Sequence, residues 1–285
     1  MKIAFFRHDD TSMLGQVEDG DSHVTAFDLD PAKADDGLRA VIGGDLPPLS
    51  SHRIAVADVQ LLAPLSGPAQ RVFCVGKNYY DHVQETEAPE VRGTVKPPEL
   101  PVIFSKWPQA IIGPGDAIRY DPEVSVNIDY EVELTVIIGK GGRNIPAADA
   151  MDHVWGYTVL NDVTARDVQK RHNQWLLGKS QDTFCPIGPW AVTADRIDLA
   201  DCIVTTHVNG EERQNANTNL MIHDVPTIIE TCSRGIALQP GDLIATGTPS
   251  GVGLGFIPPK FLKAGDVVSC EIQGIGTLTN PVETW

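Results

Sequence analysis

Short, apolar, β-favouring runs recur along this chain, and glycine or proline closes most of them before they reach helical length. The runs lie at residues 71–75, 102–104, 130–138, 203–208, 243–246 and 267–272. With 26 glycines and 21 prolines among 285 residues, the pattern fits strands, so a β-rich fold of the α+β class is expected. Helical periodicity is confined to residues 164–172, where Thr164 offers an N-terminal cap, and 225–234, with Pro226 near the first turn.

Residues 1–66 carry smaller β runs at 2–6, 22–27 and 59–62, divided by polar turns and Pro47-Pro48. The sequence PLSGP at 64–68 interrupts both helix and sheet. The expected organisation is a small N-terminal β-rich domain over 1–66 and a main domain over 67–285. The segment 85–101 is rich in Glu and Pro, a composition that makes poor core and good mobile loop.

The 22 Lys and Arg face 38 Asp and Glu, a formal charge of −16. DNA or an acidic membrane surface would be repelled, so neither nucleic acid nor membrane is an expected partner. An anionic substrate would need a local positive centre, either a metal ion or focused Lys and Arg. The longest charge-free stretch, 243–259, is broken by glycines and prolines and reads as loop rather than membrane span. The opening MKIAFFRHDD lacks the long apolar stretch of a secretory signal, which makes the cytoplasm the expected location. Five scattered cysteines with no CxxC pair fit reduced, buried thiols.

Five pieces could carry chemistry. In DYEVELTV, Glu131 and Glu133 are two apart, so on a strand both leave the same face about 7 Å apart. At an effective dielectric near 20 they repel by roughly 2 kcal/mol, and a cation would reverse the sign. Taken alone, such a pair is more often a solvated polar face. Asp162 in NDVTARD stands where a strand would give way to a helix; it is either a third carboxylate or a helix cap. Three carboxylates without cysteine would form an all-oxygen site suited to Mg²⁺ or Mn²⁺. His82 and Glu85 in YYDHVQE share a face if the segment is helical, giving a carboxylate-oriented imidazole suited to general-base work, or simply a surface histidine with a neighbour. Lys179 could stabilise an oxyanion, and TGTPSGVG at 246–253 could bring backbone amides and the Thr248 hydroxyl to a substrate carboxylate.

In order along 71–282, GKNYYDHVQE, IDYEVELTVIIGK, LNDVTARDVQ, GKSQDTFCPIGPW, VNGEERQ and ATGTPSGVG resemble the fumarylacetoacetate hydrolase family. The resemblance implies a mixed β-sandwich roll with a divalent metal on Glu131, Glu133 and Asp162. It also implies a His82–Glu85 catalytic dyad on a lid, with Lys179 as a further catalytic group. Gln169, Thr248 and Arg166 would contact substrate, and the chain would form a homodimer or higher homo-oligomer. The implied reaction is metal-dependent hydrolysis of a carbon–carbon bond in a 2,4-diketo acid. General resemblance points to 2,4-diketo-3-deoxy-L-rhamnonate or a related sugar acid, giving pyruvate and a hydroxy acid such as lactate. The same chemistry also supports oxaloacetate decarboxylation or isomerisation of an unsaturated diacid, and a non-catalytic metabolite-binding protein is a remote alternative.

Overall fold

The computed structural model describes residues 1–18 and 20–285. Its larger sheet has twelve strands, ten of them in one path. The path runs Leu49–Ala55, His23–Phe27, Thr11–Val17, Lys2–His8, Cys185–Thr193, Val154–Asn161, Val132–Ile138, Leu243–Ala245, Val72–Gly76 and Val102–Lys106. Along it every pair is antiparallel except Leu243–Ala245 with Val72–Gly76. A second sheet of five strands orders Glu211–Asn217, Ile203–Val208, Val267–Ile272, Gly276–Thr284 and Ile118–Tyr120.

The two sheets enclose one apolar core, in which Leu134, Val136 and Val159 share a cluster with Val204, Val268 and Leu278. On the other side, Ile137, Leu160, Ile187 and Leu243 pack with Ile3, Phe5 and Leu38. Covering on both faces explains why Val132–Ile138 is buried at every position rather than alternating. The first strand shows the two-residue period: Ile3 and Phe5 enter one cluster, Ala4 and Phe6 the other. The strands of residues 2–62 thus continue the main sheet, joined through Lys2 opposite Val192 and Ile3 opposite Ala191.

Two local expectations are corrected. The strand in the run 130–138 starts two residues late, at Val132; Ile128–Asp129, just before the run, pairs with Thr164–Ala165 in a separate ladder. Side-chain acceptors take the backbone donors at the break. Asp129 Oδ1 accepts from Tyr130 N at 2.9 Å, and Asn161 Oδ1 accepts from Glu131 N at 3.0 Å. Thr164 does not cap a helix either; its hydroxyl donates to the Asp162 carbonyl, and the helix Arg166–Arg171 begins after Ala165. The helix Val225–Ser233 forms as its pattern predicts, with Asp224 accepting from Thr227 N at its cap.

The pairing register brings several strand ends to one edge of the large sheet. Val132 faces Asn161, Thr135 faces Ala245, and Ala245 faces Cys74. Glu131, Glu133, Asp162, Thr246 and Gly76 therefore gather there, where connecting segments can carry binding groups without disturbing the core.

Candidate metal centre and catalytic cavity

Glu131, Glu133 and Asp162 each place a carboxylate oxygen within 4.8 Å of the others, and all three are buried. A fourth buried carboxylate, Asp129, lies beside them. Three buried cations answer these four groups. Lys106 Nζ donates to Asp162 Oδ1 and to the carbonyls of Val163 and Lys179. Lys179 Nζ lies 2.6 Å from both Glu131 Oε2 and Asp162 Oδ2. Arg166 joins Asp129 Oδ2 through Nε at 2.8 Å and Glu131 Oε1 through a terminal nitrogen at 2.6 Å.

The fixed charges leave one carboxylate over, and it is identifiable. Glu133 makes no ion pair among the described residues; its Oε2 accepts from Gly247 N at 2.8 Å. Burial, and then the charges of Asp162 and Glu131, push its carboxyl well above the ordinary range. Burial acts on Glu131 in the same sense, yet Arg166 and Lys179 outweigh it and hold that carboxyl below the ordinary range. Lys179 follows the same logic with the opposite sign: burial would lower it, but Asp162 and Glu131 raise it. A cluster of hard oxygen donors, one of them a carboxyl that no ion pair among the described residues answers, fits a divalent cation such as Mg²⁺ or Mn²⁺.

The helix Tyr80–Glu85 places His82 and Glu85 on one face, with Nδ1 2.8 Å from Glu85 Oε1. The other carboxylate oxygen accepts from Gly251 N at 2.8 Å, which anchors the pair to the glycine-rich loop. That loop approaches so closely that a side chain at Gly255 would come within 2.2 Å of Glu85 Oε2. With Nδ1 engaged, Nε2 is the ring nitrogen left for a substrate.

These groups line one cavity of about 320 Å³. His82, Glu131, Glu133, Arg166, Gln169, Lys179 and Thr248 reach it; Asp162 does not, and acts from behind through Lys179 and Lys106. Glu85 is also set back, acting on His82. Gln169 Oε1 accepts from Arg166 at 3.3 Å. Thr248 is positioned by Gln214, whose Nε2 donates to its hydroxyl at 2.8 Å. The segment after Glu85 gives Thr86 and Glu87 to the cavity wall and is tied back by Gln84 Nε2 to the Val95 carbonyl and by Arg92 to the carbonyls of Glu85 and Glu87. Trp175 forms another wall, stacked edge-on against Phe104 at 5.3 Å.

Sequence reasoning missed Lys106, Asp129 and Gln214. Asp129 and Gln214 fall inside quoted motifs, but nothing in residue type or spacing announces a buried brace. All five cysteines are free and buried, as the sequence implied. Burial pushes the Cys185 thiol up to about 12, so the nearby sulfur is no nucleophile at neutral pH. Among the described residues no helix is long and apolar enough to cross a membrane.

The model of the fumarylacetoacetate hydrolase C-terminal domain matches residues 71–283. Oxaloacetate tautomerase YisK of Bacillus subtilis is 48% identical over 235 residues, covering 82% of this chain and 76% of that one. The mitochondrial oxaloacetate tautomerase fahd2 of Xenopus laevis is 48% identical over 236 residues, covering 82% and 71%. Among solved structures, a fumarylacetoacetate hydrolase from the psychrophile Exiguobacterium antarcticum superposes with a TM-score of 0.86 at 44% identity, covering 100% of both chains. The 2-hydroxyhepta-2,4-diene-1,7-dioate isomerase from Mycobacterium marinum gives 0.80 at 39% identity, covering 100% and 98%.

Proposed function

The chain belongs to the fumarylacetoacetate hydrolase family, and from that premise we propose that it is a divalent-metal-dependent tautomerase of short 2-keto dicarboxylates, with oxaloacetate as the substrate to test. The observation that carries this reading is one oriented imidazole, His82, in the same small cavity as the carboxylate cluster. Keto–enol interconversion moves one proton between the carbon beside a keto group and its oxygen. It needs a single acid–base group, charge stabilisation at the oxygen, and no second reactant. The relatives named oxaloacetate tautomerase and the isomerase structure support that choice over hydrolysis.

A divalent ion on Glu131, Glu133 and Asp162 would supply positive charge to the keto oxygen and adjacent carboxylate of such a substrate. His82 Nε2 takes the proton from the carbon or returns it. Glu85, held against Nδ1, fixes the ring orientation and the tautomer that leaves Nε2 free. Arg166 and Lys179 hold Glu131 ionised, and the Thr248 hydroxyl, set by Gln214, offers a hydrogen bond to a substrate carboxylate.

Carbon–carbon hydrolysis of an acylpyruvate, the leading expectation from sequence, keeps one specific support, the full-length match to the Exiguobacterium antarcticum structure. There His82 would activate water instead. The deciding assay follows the decay of enol-oxaloacetate above the uncatalysed rate, with Mg²⁺ and with EDTA, beside pyruvate release from acetylpyruvate and 2,4-diketo-3-deoxy-L-rhamnonate. The expected result is metal-dependent enol decay, lowered about 10²- to 10⁴-fold in His82→Ala. Pyruvate from a diketo acid without enol turnover would replace this reading with the hydrolase.

A further inference from the structure

The cavity carries four cationic side chains, Lys77, Arg166, Lys170 and Lys179. Three have protein carboxylates for partners: Lys77 has Glu87, Arg166 has Asp129 and Glu131, and Lys179 has Glu131 and Asp162. Lys170 makes no side-chain hydrogen bond or ion pair among the described residues. It lies on the helix Arg166–Arg171, where Arg166, Gln169 and Lys170 are related by three and four residues and so share one face. All three reach the cavity, and Lys170 is exposed where Arg166 is buried. The helix thus presents a graded row: a buried guanidinium braced to the carboxylate cluster, an amide, and an uncommitted ammonium nearer to solvent.

In a chain of net charge −16, an unpaired cation at a cavity wall is a place where a substrate anion meets attraction rather than repulsion. We infer that Lys170 is the specificity-determining counter-ion for the second, remote carboxylate of the substrate, which selects 2-keto dicarboxylates over 2-keto monocarboxylates. This inference rests on the tautomerase reading for its substrate class. The first carboxylate and the keto oxygen belong at the acidic cluster, and the chain beyond them extends along the helix face toward Lys170.

The test is binding to Mg²⁺-loaded protein of two inert probes that differ by one carboxylate, malate and lactate. Calorimetric titration of wild type, Lys170→Met and Lys170→Arg gives a malate-to-lactate affinity ratio for each. Wild type is expected to prefer malate. Lys170→Met should lower that preference about tenfold, the size of a lost hydrogen bond to a charged group, while Lys170→Arg keeps most of it. Raising ionic strength should shrink the wild-type preference and leave that of Lys170→Met nearly flat. A merely structural lysine would shift both affinities together, and that outcome, or a wild type that binds malate no better than lactate, overturns the inference. Because no turnover is read, failure to act on oxaloacetate would remove the tautomerase reading and still leave the role of Lys170 decided.

Discussion

Glu133 is the residue on which the chemistry of the centre turns, because it is the one member of the acidic cluster that makes no ion pair among the described residues. A carboxyl whose pKa rises on folding adds stability in full below its unfolded value of about 4.3 and loses it as pH climbs through the folded value. Chelator-treated protein is therefore expected to lose thermal stability as pH rises above that point, and Glu133→Gln should flatten the slope in scanning calorimetry. Glu131 acts in the opposite sense at lower pH: its depressed pKa contributes stability above about 4.3 that is lost on acidification. Mg²⁺ requires Glu133 ionised, so binding should release a proton, seen as a binding heat that varies with the ionisation enthalpy of the buffer. Heats identical in all buffers would show that Glu133 is already ionised. The clustered carboxylates were legible in sequence because ExE spaces two of them closely and NDVTARD sets a third where a strand ends. Lys106, fully buried and bonded to Asp162, was not, because an isolated lysine in IFSKW carries no pattern that distinguishes a core brace from a surface charge.

Elements position the dyad through contact between the helix Tyr80–Glu85 and the glycine-rich loop, not through the helix alone. Gly251 N holds one oxygen of Glu85, and Gly255 leaves room for it. Gly255→Ala would intrude on that carboxylate, a movable side-chain tip, so the expected effect is a fall in activity of about tenfold or more with little change in melting temperature. Gly251→Ala differs in kind. Its φ of +104° is unfavourable to any side chain, and the new Cβ would lie 1.9 Å from the Arg213 carbonyl, so the fold itself should lose more than about 1 kcal/mol, measured by denaturant unfolding. Equal melting temperatures for the two variants would contradict this division. The pairing of His82 with Glu85 was legible as a conditional, on a helix there, because the two residues are close in the chain, and the helix Tyr80–Glu85 meets that condition. The strand read over 130–138 begins two residues later, at Val132, because Asn161, thirty residues away, takes the amide of Glu131. Local periodicity contains no term for such a partner.

Across the whole molecule, the Pro-rich segment at 64–68 looks like a domain boundary in sequence, yet the structure carries sheet and core past it. Ile3 and Phe5 are buried with Ile137, Leu160 and Leu243, while Ala4 and Phe6 are buried with Val136 and Val159 on the opposite side. The strand Lys2–His8 pairs with Cys185–Thr193, next but one to the strand that bears Glu133. A hydrophobic alternation announces that a strand is half-buried or buried, but not against what, which is why strand content was legible and sheet continuity was not. Shared burial on both faces makes the two parts mutually dependent, so one calorimetric transition is expected for the whole chain. Ile3→Ala, which opens a cavity in a cluster contributed by both parts, should lower the stability of that single transition by about 2–5 kcal/mol. Two resolved transitions, with only the first moved by the substitution, would instead make residues 1–66 an independent unit attached at its edge. The centre at Glu133 would then owe nothing to the N-terminal strands.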